Sequence, residues 1–441
     1  MEPIIALATP PLKSALALIR LSGDGVFDAV AKAMGFDAEE FSKRRIRVGY
    51  LGDKGKPIDE VVAFIFPNPN SFTGEDVVEL SCHGSMIIVR EILSYFYGKG
   101  IRQAERGEFS ARAFYNGKVD LIEAEAINDL INATTKESKD LALLSLKGET
   151  SSLLSPIASK IDEMLALIEV NIDYPEYTDI EETNLTKVRA ECQGLVDEVD
   201  SLIAGGRQGK VVREGVKVAL VGEPNVGKSS LLNALLDEEK AIVTPIPGTT
   251  RDVVEGVISL RGIPLRLLDT AGIRESDDVV ESIGIKKSVD SIKEADLVIV
   301  VHDDKNEEIT NELEGYLANK TVIHVQNKAD LLGEEKRVEG RVYVSALNKE
   351  IGALKDAIYD VLGVSDEAYK TPSFSNEREL GLLLRMKEAL EESMQLIDAG
   401  ATVDFVSSGL QSARLCANEL LGKEVSTDLS DEIFSRFCVG K

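Results

Sequence analysis

The 441-residue sequence lacks the features that define several classes of protein. Its four cysteines, Cys82, Cys192, Cys416 and Cys438, are scattered with no CxxC pair, which excludes a disulfide scaffold and fits a reduced, cytoplasmic chain. Apolar runs such as Leu297–Val301 fall far short of the roughly 20 residues that span a bilayer. The start, Met1-Glu2-Pro3-Ile4-Ile5, has neither the basic residues nor the apolar stretch of a secretory signal. Cationic excess is missing too: 50 Lys and Arg face 76 Asp and Glu, a net charge of −26. That excludes a generic cationic coat for nucleic acid, although a local basic patch would still bind it. No repeat or low-complexity tract is visible. Cys82-His83 is no metal pair, because adjacent side chains rarely share a ligand geometry, and His302 and His324 fall on predicted strands as structural residues.

What is present divides the chain into four stretches. Residues 1–118 carry 15 basic and 15 acidic side chains, so the whole acidic excess lies beyond them, and RNA contact is expected there or on a partner. Short β-like runs in that stretch (Ile4–Ala8, Ala15–Leu21, Val61–Phe66, Val77–Ser81) and an amphipathic helix over Ser85–Tyr97 make an α+β pattern. From Val119 to Arg213 the period is helical, with Leu121, Ala124, Ile127 and Ile131 on one face, and Asp173-Tyr174-Pro175-Glu176 reads as a loop. Residues 214–371 alternate strands (Val216–Val221, Leu265–Leu268, Leu297–Val301, Val322–Gln326, Val342–Val344) with helices, as in a mostly parallel sheet. After Pro372 helices return over Glu377–Ile397 and Val403–Leu421. Helices on both sides of an α/β unit suggest that the unit is inserted into a helical domain.

The strongest chemistry starts at Gly222. Gly222-Glu223-Pro224-Asn225-Val226-Gly227-Lys228-Ser229 is a phosphate loop between an apolar strand and a helix that begins with Ser230. Its backbone N–H groups and the helix dipole face the phosphates, Lys228 bridges the β and γ phosphates, and the Ser229 hydroxyl holds magnesium. Asp269-Thr270-Ala271-Gly272 closes the next strand, with a carboxylate for magnesium-bound water and a glycine beside the γ phosphate. Asn327-Lys328-Ala329-Asp330 closes another, and Asp330 accepts from N1–H and the 2-amino group of guanine, which adenine cannot match. Ser345-Ala346-Leu347 supports the base. In this order on alternating strands the motifs identify a GTP-binding domain.

Hydrolysis rests on two connecting segments. Thr244-Pro245-Ile246-Pro247-Gly248-Thr249-Thr250 lies along the nucleotide, and Thr250 completes the magnesium shell when the γ phosphate is bound. Ile273 stands where Ras-like enzymes carry a water-orienting glutamine, so another group must act; Glu275, Asp277, Asp278 and Glu281 are all close in sequence. Arg251 and Arg274 are candidate charge stabilisers.

Glu-Pro-Asn-Val-Gly-Lys-Ser-Ser (223–230) with Gly-Thr-Thr-Arg-Asp (248–252) resembles bacterial translation-associated GTPases. The run Asp431 to Lys441, DEIFSRFCVGK, resembles the C-terminal signature of the MnmE (TrmE) family of tRNA wobble-uridine modification GTPases. Phe72-Thr73-Gly74-Glu75-Asp76, Gly107-Glu108-Phe109, Arg112-Ala113-Phe114, Asn116-Gly117-Lys118 and Ala124-Glu125-Ala126 match that family's N-terminal half, so the resemblance covers nearly the whole chain. It implies a multidomain α/β fold. Residues 1–118 would form a folate-binding-like dimerisation domain, 119–213 with 372–441 an all-α domain, and 214–371 an inserted Ras-like GTPase domain. It further implies that Arg20, Glu79, Lys118 and Lys441 contact a 5-formyl-tetrahydrofolate-type ligand. Asn225 and the carbonyls of Thr244, Ile246 and Thr249 would bind potassium as two GTPase domains pair. Glu281 would activate water, and Cys438 would serve the tRNA chemistry. Leu12, Ser14 and Arg106 depart from the usual glycine, glycine and proline. The expected function is potassium-stimulated GTP hydrolysis coupled to wobble-uridine modification. The expected partners are the FAD-dependent MnmG and tRNA, with glycine or ammonium as amine. The competing readings are a ribosome-assembly GTPase, which the lack of a KH-type GXXG loop in 372–441 disfavours, and a GTP-dependent scaffold.

Overall fold

A computed structural model describes residues 1–41, 45–173, 178–223, 225–238, 256–268, 289–303, 311–333, 337–365, 367–424 and 426–440. The chain forms two compact units, Met1–Asn128 with Arg414–Lys441, and Asp129–Ala413.

The first unit is built on β1 (Ile4–Leu7), β2 (Leu16–Ser22), α1 (Val26–Met34), β3 (Ile46–Asp53), β4 (Lys56–Phe66), β5 (Val77–His83), α2 (Met86–Tyr97), β6 (Arg102–Gln103), α3 (Glu108–Tyr115) and α4 (Leu121–Asn132). The strands make one sheet in the order β3-β4-β5-β2-β1-β6, antiparallel except for the β1–β6 pair. Alternation sends Ile19, Leu21, Val61, Ala63, Ile65, Val78 and Leu80 to one face, where Val26 and Val30 of α1 and Val89, Ile92 and Phe96 of α2 cover them. Arg20, one residue out of phase with Ile19 and Leu21, points to the other face.

Two strands and two helices here go beyond the pattern read from the sequence. On β3 the alternation is real but faces outward: Ile46, Val48 and Tyr50 are 62%, 60% and 64% exposed, so the apolar period marks a surface row, not a core. Helices α1 and α3 are short, 9 and 8 residues long, and each follows a left-handed glycine, Gly25 and Gly107.

The second unit runs through α5 (Lys136–Leu146), α6 (Glu149–Ser152), α7 (Leu154–Asp173), α8 (Thr178–Glu214), β7 (Val216–Val221), α9 (Lys228–Glu238), β8 (Gly256–Leu260), β9 (Ile263–Leu267), β10 (Leu297–His302), α10 (Asn311–Leu317), β11 (Thr321–Gln326), β12 (Val342–Tyr343), α11 (Gly352–Leu362) and α12 (Glu377–Asp398). The sheet order is β12-β11-β10-β7-β9-β8, parallel apart from the β8–β9 hairpin. Strand β8, which the sequence pattern did not single out, is the antiparallel edge. Every side chain of β10 is buried, as a central strand with both faces covered requires. Helices α7 and α12 lie along α8. Helix α12 starts in a reciprocal cap, Glu379 N donating to Asn376 Oδ1 (2.7 Å) and Asn376 N to Glu379 Oε2 (3.1 Å). Leu141 of α5 and Val212 near the end of α8 join the core beneath the sheet.

The chain then returns to the first unit through α13 (Val403–Leu421) and α14 (Thr427–Ser435). Phe434 and Phe437 pack there on Leu121, Ala124 and Phe114. Of the face read from the sequence on α4, Leu121, Ala124 and Ile127 are buried, whereas Ile131 is 45% exposed in the last turn.

Candidate functional site

The phosphate loop leaves the central strand β7 at Val221 and re-enters regular structure as α9 at Lys228. Helix α9 holds its place through Leu231, Leu232, Ala234 and Leu235, all in the core below the sheet. Ser229 and Ser230 are exposed on its first turn, where the helix dipole favours an anion. Gly227 adopts φ +96°, and a Cβ there would lie 2.2 Å from Asn327 Nδ2, so no other residue fits. The Lys228 ammonium curls back over the loop and donates to the carbonyls of Gly222 and Glu223, both at 2.8 Å. Burial lowers its pKa, opposed by Glu223.

The guanine loops interlock with the phosphate loop. Asn327, only 2% exposed, donates from Nδ2 to Val226 O (2.9 Å) and accepts at Oδ1 from the Ala346 amide (3.1 Å). Lys328 reaches Asn225 O at 3.0 Å. The Ser345 hydroxyl donates to Asp330 Oδ1 at 2.6 Å, which fixes the carboxylate assigned to guanine. Leu347 is 84% exposed beyond it. Asn225, Val226, Gly227, Lys228, Asn327, Lys328, Asp330, Ser345 and Ala346 therefore come together at the C-terminal ends of β7, β11 and β12, where an open parallel sheet binds ligands. A cleft of about 650 Å³ at the opposite ends of the strands, lined by Lys210, Glu214, Lys217, Arg266, Asp296 and Glu377, is far from this chemistry. Thr244, Pro245, Ile246, Pro247, Gly248, Thr249, Thr250, Asp269, Thr270, Ala271, Gly272 and Glu281 lie outside the described residues.

A second constellation forms in the first unit. Arg20 on β2 and Glu79 on β5 are register partners, with Nε and Nη2 donating to Glu79 Oε1 at 2.9 and 2.7 Å. The guanidinium lies over the rings of Phe72 (5.1 Å) and Phe109 (5.6 Å). Its remaining arm, Nη1, donates to Gly440 O at 3.2 Å. The segment holding Gly440 is fixed along its length: Val439 bridges Arg106, Cys438 O accepts from Gly107 N (3.3 Å), and Phe437 is buried. Gly107 has φ +68°, and a Cβ would lie 2.2 Å from Phe434 O, so a glycine is needed for this approach. Cys438 itself is exposed. Lys118 belongs to the neighbouring loop, donating to Pro69 O at 3.0 Å, and Lys441 lies outside the described residues.

Sequence reasoning assigned no role to Phe72, Phe109 or Asp303, although the first two stand inside quoted motifs. It also passed over the buried network behind them. There Arg112 joins Glu75 (3.0 Å) and Glu108 (2.9 Å), and Glu75 accepts from Ser22 Oγ (2.7 Å). Burial alone would raise Glu108, but hydrogen bonds from Arg102, the Glu105 amide and Arg112 hold it at about 2. His302 and His324 stack with Nε2 and Nδ1 3.2 Å apart, and His302 is pushed to about 4 by burial, then by Arg341 and His324. Cys82 is buried and donates to Ala17 O, and His83 pairs with Asp59. No group of three or more His, Cys, Asp or Glu fit for a metal occurs among the described residues, and no helix among them is long and apolar enough to cross a membrane.

The family profile of the GTP-binding protein TrmE N-terminus matches residues 3–118, and that of the MnmE helical domain matches residues 121–438. The chain is 40% identical to the tRNA modification GTPase MnmE of Geobacillus kaustophilus and to that of Oceanobacillus iheyensis, in each case over 100% of this chain and 99% of the relative. Among solved structures, Aquifex aeolicus Era bound to GDP.AlF4- is 29% identical, with 40% of this chain and 66% of that chain covered at a TM-score of 0.25. Two profiles that leave almost no residue unmatched, and relatives aligned along their full length, place the interlocked phosphate and guanine loops in a known setting: the chain belongs to the MnmE family of tRNA modification GTPases.

Proposed function

We propose that this GTPase drives formation of a 5-carboxymethylaminomethyl or aminomethyl group on the wobble uridine of tRNA in the cytoplasm. It acts as a homodimer with the FAD-dependent partner MnmG, a folate one-carbon donor, and glycine or ammonium. The observation that carries the reading is the Arg20–Gly440 contact, which places the segment bearing the exposed Cys438 on the Arg20–Glu79 pair. Arg20, Glu79, Lys118 and Lys441 hold the folate, and Cys438 is the thiol beside it. The functional domains are 1–118, 119–213 with 372–441, and 214–371. Homodimerisation is supported by the outward row of Ile46, Val48 and Tyr50 on edge strand β3, an apolar surface that a monomer leaves wet.

In the GTPase part, Lys228 and the loop amides hold the phosphates, Ser229 and Thr250 hold magnesium, and Asp269 acts on it through water. Asn225 with the carbonyls of Thr244, Ile246 and Thr249 holds potassium, which offsets charge developing on the β–γ bridge as an arginine finger does. Glu281 orients the attacking water in place of the glutamine that Ile273 replaces. Exposure of Asn225 and of Ser229 at the mouth of the loop supports both cation assignments. Hydrolysis measured in KCl and in NaCl tests the potassium reading: faster turnover in potassium, lost in Asn225→Ala, is expected, and equal rates overturn it. Calorimetric titration with 5-formyltetrahydrofolate tests the folate reading, with saturable binding to the wild type and at least tenfold weaker binding to Glu79→Gln.

A further inference from the structure

The residue just beyond β10 carries an unassigned function. Asp303 is 7% exposed, and its Oδ2 lies 3.2 Å from Lys328 Nζ. The same ammonium donates to Asn225 O at 3.0 Å. Among the described residues, Lys328 and Asn225 are two of four non-glycine residues with left-handed backbones, at φ +58° and +64°. Such a conformation is unfavourable for a residue with a side chain and persists only where neighbours hold it. Adjacent to this link, Asn327 Nδ2 holds Val226 O, so two successive carbonyls of the phosphate loop are tied by two successive side chains of the guanine loop.

The two ties differ in what stabilises them. Asn327 is fixed by its second bond to the Ala346 amide and by burial. Lys328 is a long, flexible cation, 35% exposed at the side chain, and one hydrogen bond to a neutral carbonyl does not fix such a group. A carboxylate only 7% exposed on its other side adds an ion pair that does. We propose that Asp303 is a positioning residue for the nucleotide site. It pins Lys328, and through it the left-handed backbone of Asn225, so it controls both how long the guanine nucleotide stays bound and how the loop responds to a monovalent cation. The second effect rests on Asn225 being a potassium ligand as proposed above; the first does not.

The test uses the full-length chain. Release of a fluorescent GDP analogue is followed after mixing with excess GDP, and GTP hydrolysis is titrated with KCl at constant ionic strength. Asp303→Ala releases GDP at least tenfold faster than wild type. Asp303→Asn, which keeps an acceptor but no charge, lies between them and serves if the alanine variant does not fold. Asp303→Ala combined with Lys328→Met is no faster than Lys328→Met alone, a non-additivity that a general loss of stability would not produce. The KCl concentration for half-maximal hydrolysis rises at least threefold in Asp303→Asn. Release within twofold of wild type in a folded variant, or full additivity in the double variant, overturns the proposal. Faster release with an unchanged KCl midpoint overturns its Asn225 leg. A wild type that hydrolyses equally in KCl and NaCl overturns the potassium reading and leaves the release test standing.

Discussion

The two sites of this chain are built in opposite ways. The nucleotide site is assembled from short contiguous runs at strand ends, and its functional groups are largely backbone: carbonyls of Gly222, Glu223, Asn225 and Val226, tied by Lys228, Lys328 and Asn327. The Arg20–Glu79 site is made from single side chains 59 residues apart, and its third member, the carbonyl of Gly440, is 420 residues from Arg20. A site made of backbone demands glycine and fixed spacing, and therefore writes a motif. A site made of distant side chains needs only that a sheet bring them into register, and writes almost nothing local.

The difference can be broken at either site. The largest effect is expected for Lys228→Ala, which removes the ammonium that donates to the Gly222 and Glu223 carbonyls: hydrolysis falls by about two to three orders of magnitude. Next comes Asn327→Ala, which frees Val226 O and the Ala346 amide together. With two buried partners left unpaired, GTP binding measured by calorimetry weakens roughly 30-fold or more. Arg20→Ala strikes the dispersed site. It strands Glu79 and releases Gly440, so 5-formyltetrahydrofolate binding weakens about tenfold, and Cys438 is alkylated at an altered rate in a timed thiol-labelling assay.

The smallest effect separates the two units by acid. His302 is depressed from 6.5 to about 4, so the folded chain excludes a proton that the unfolded chain binds. Its contribution is complete above pH 6.5 and is lost as pH falls toward 4. Glu108, held at about 2 against an ordinary 4.5, keeps its full contribution above pH 4.5 and loses it only as pH falls toward 2. Urea titrations from pH 7 to 4.5 should therefore weaken the Asp129–Ala413 unit first, and His302→Gln should flatten that slope.

The same contrast explains what the sequence revealed. The order of phosphate loop, Asp269 and Asn327-Lys328-Ala329-Asp330 is legible because each run must be contiguous, and β7, β10 and β11 stand out as buried apolar strands. Strand β3 is hidden in the sequence because Ile46, Val48 and Tyr50 face outward, whereas α1 and α3 are short helices, of nine and eight residues, set among strands. Arg20 and Glu79 were named through family resemblance, not through spacing. Phe72 and Phe109 were invisible as partners of Arg20, since nothing local marks an aromatic as a platform for a cation. Asp303 was passed over because a lone acid after a strand has no motif; only its distance to Lys328 distinguishes it.

The central claim is that both sites serve one reaction on tRNA. Nucleoside mass spectrometry of bulk tRNA from cells lacking this chain, complemented in turn with wild type, Lys228→Ala and Cys438→Ser, tests it most directly. The account predicts that 5-aminomethyl-type wobble uridines disappear without the chain and return with wild type but with neither variant. Unchanged wobble uridines in cells with no redundant enzyme, or full restoration by Lys228→Ala, would contradict it.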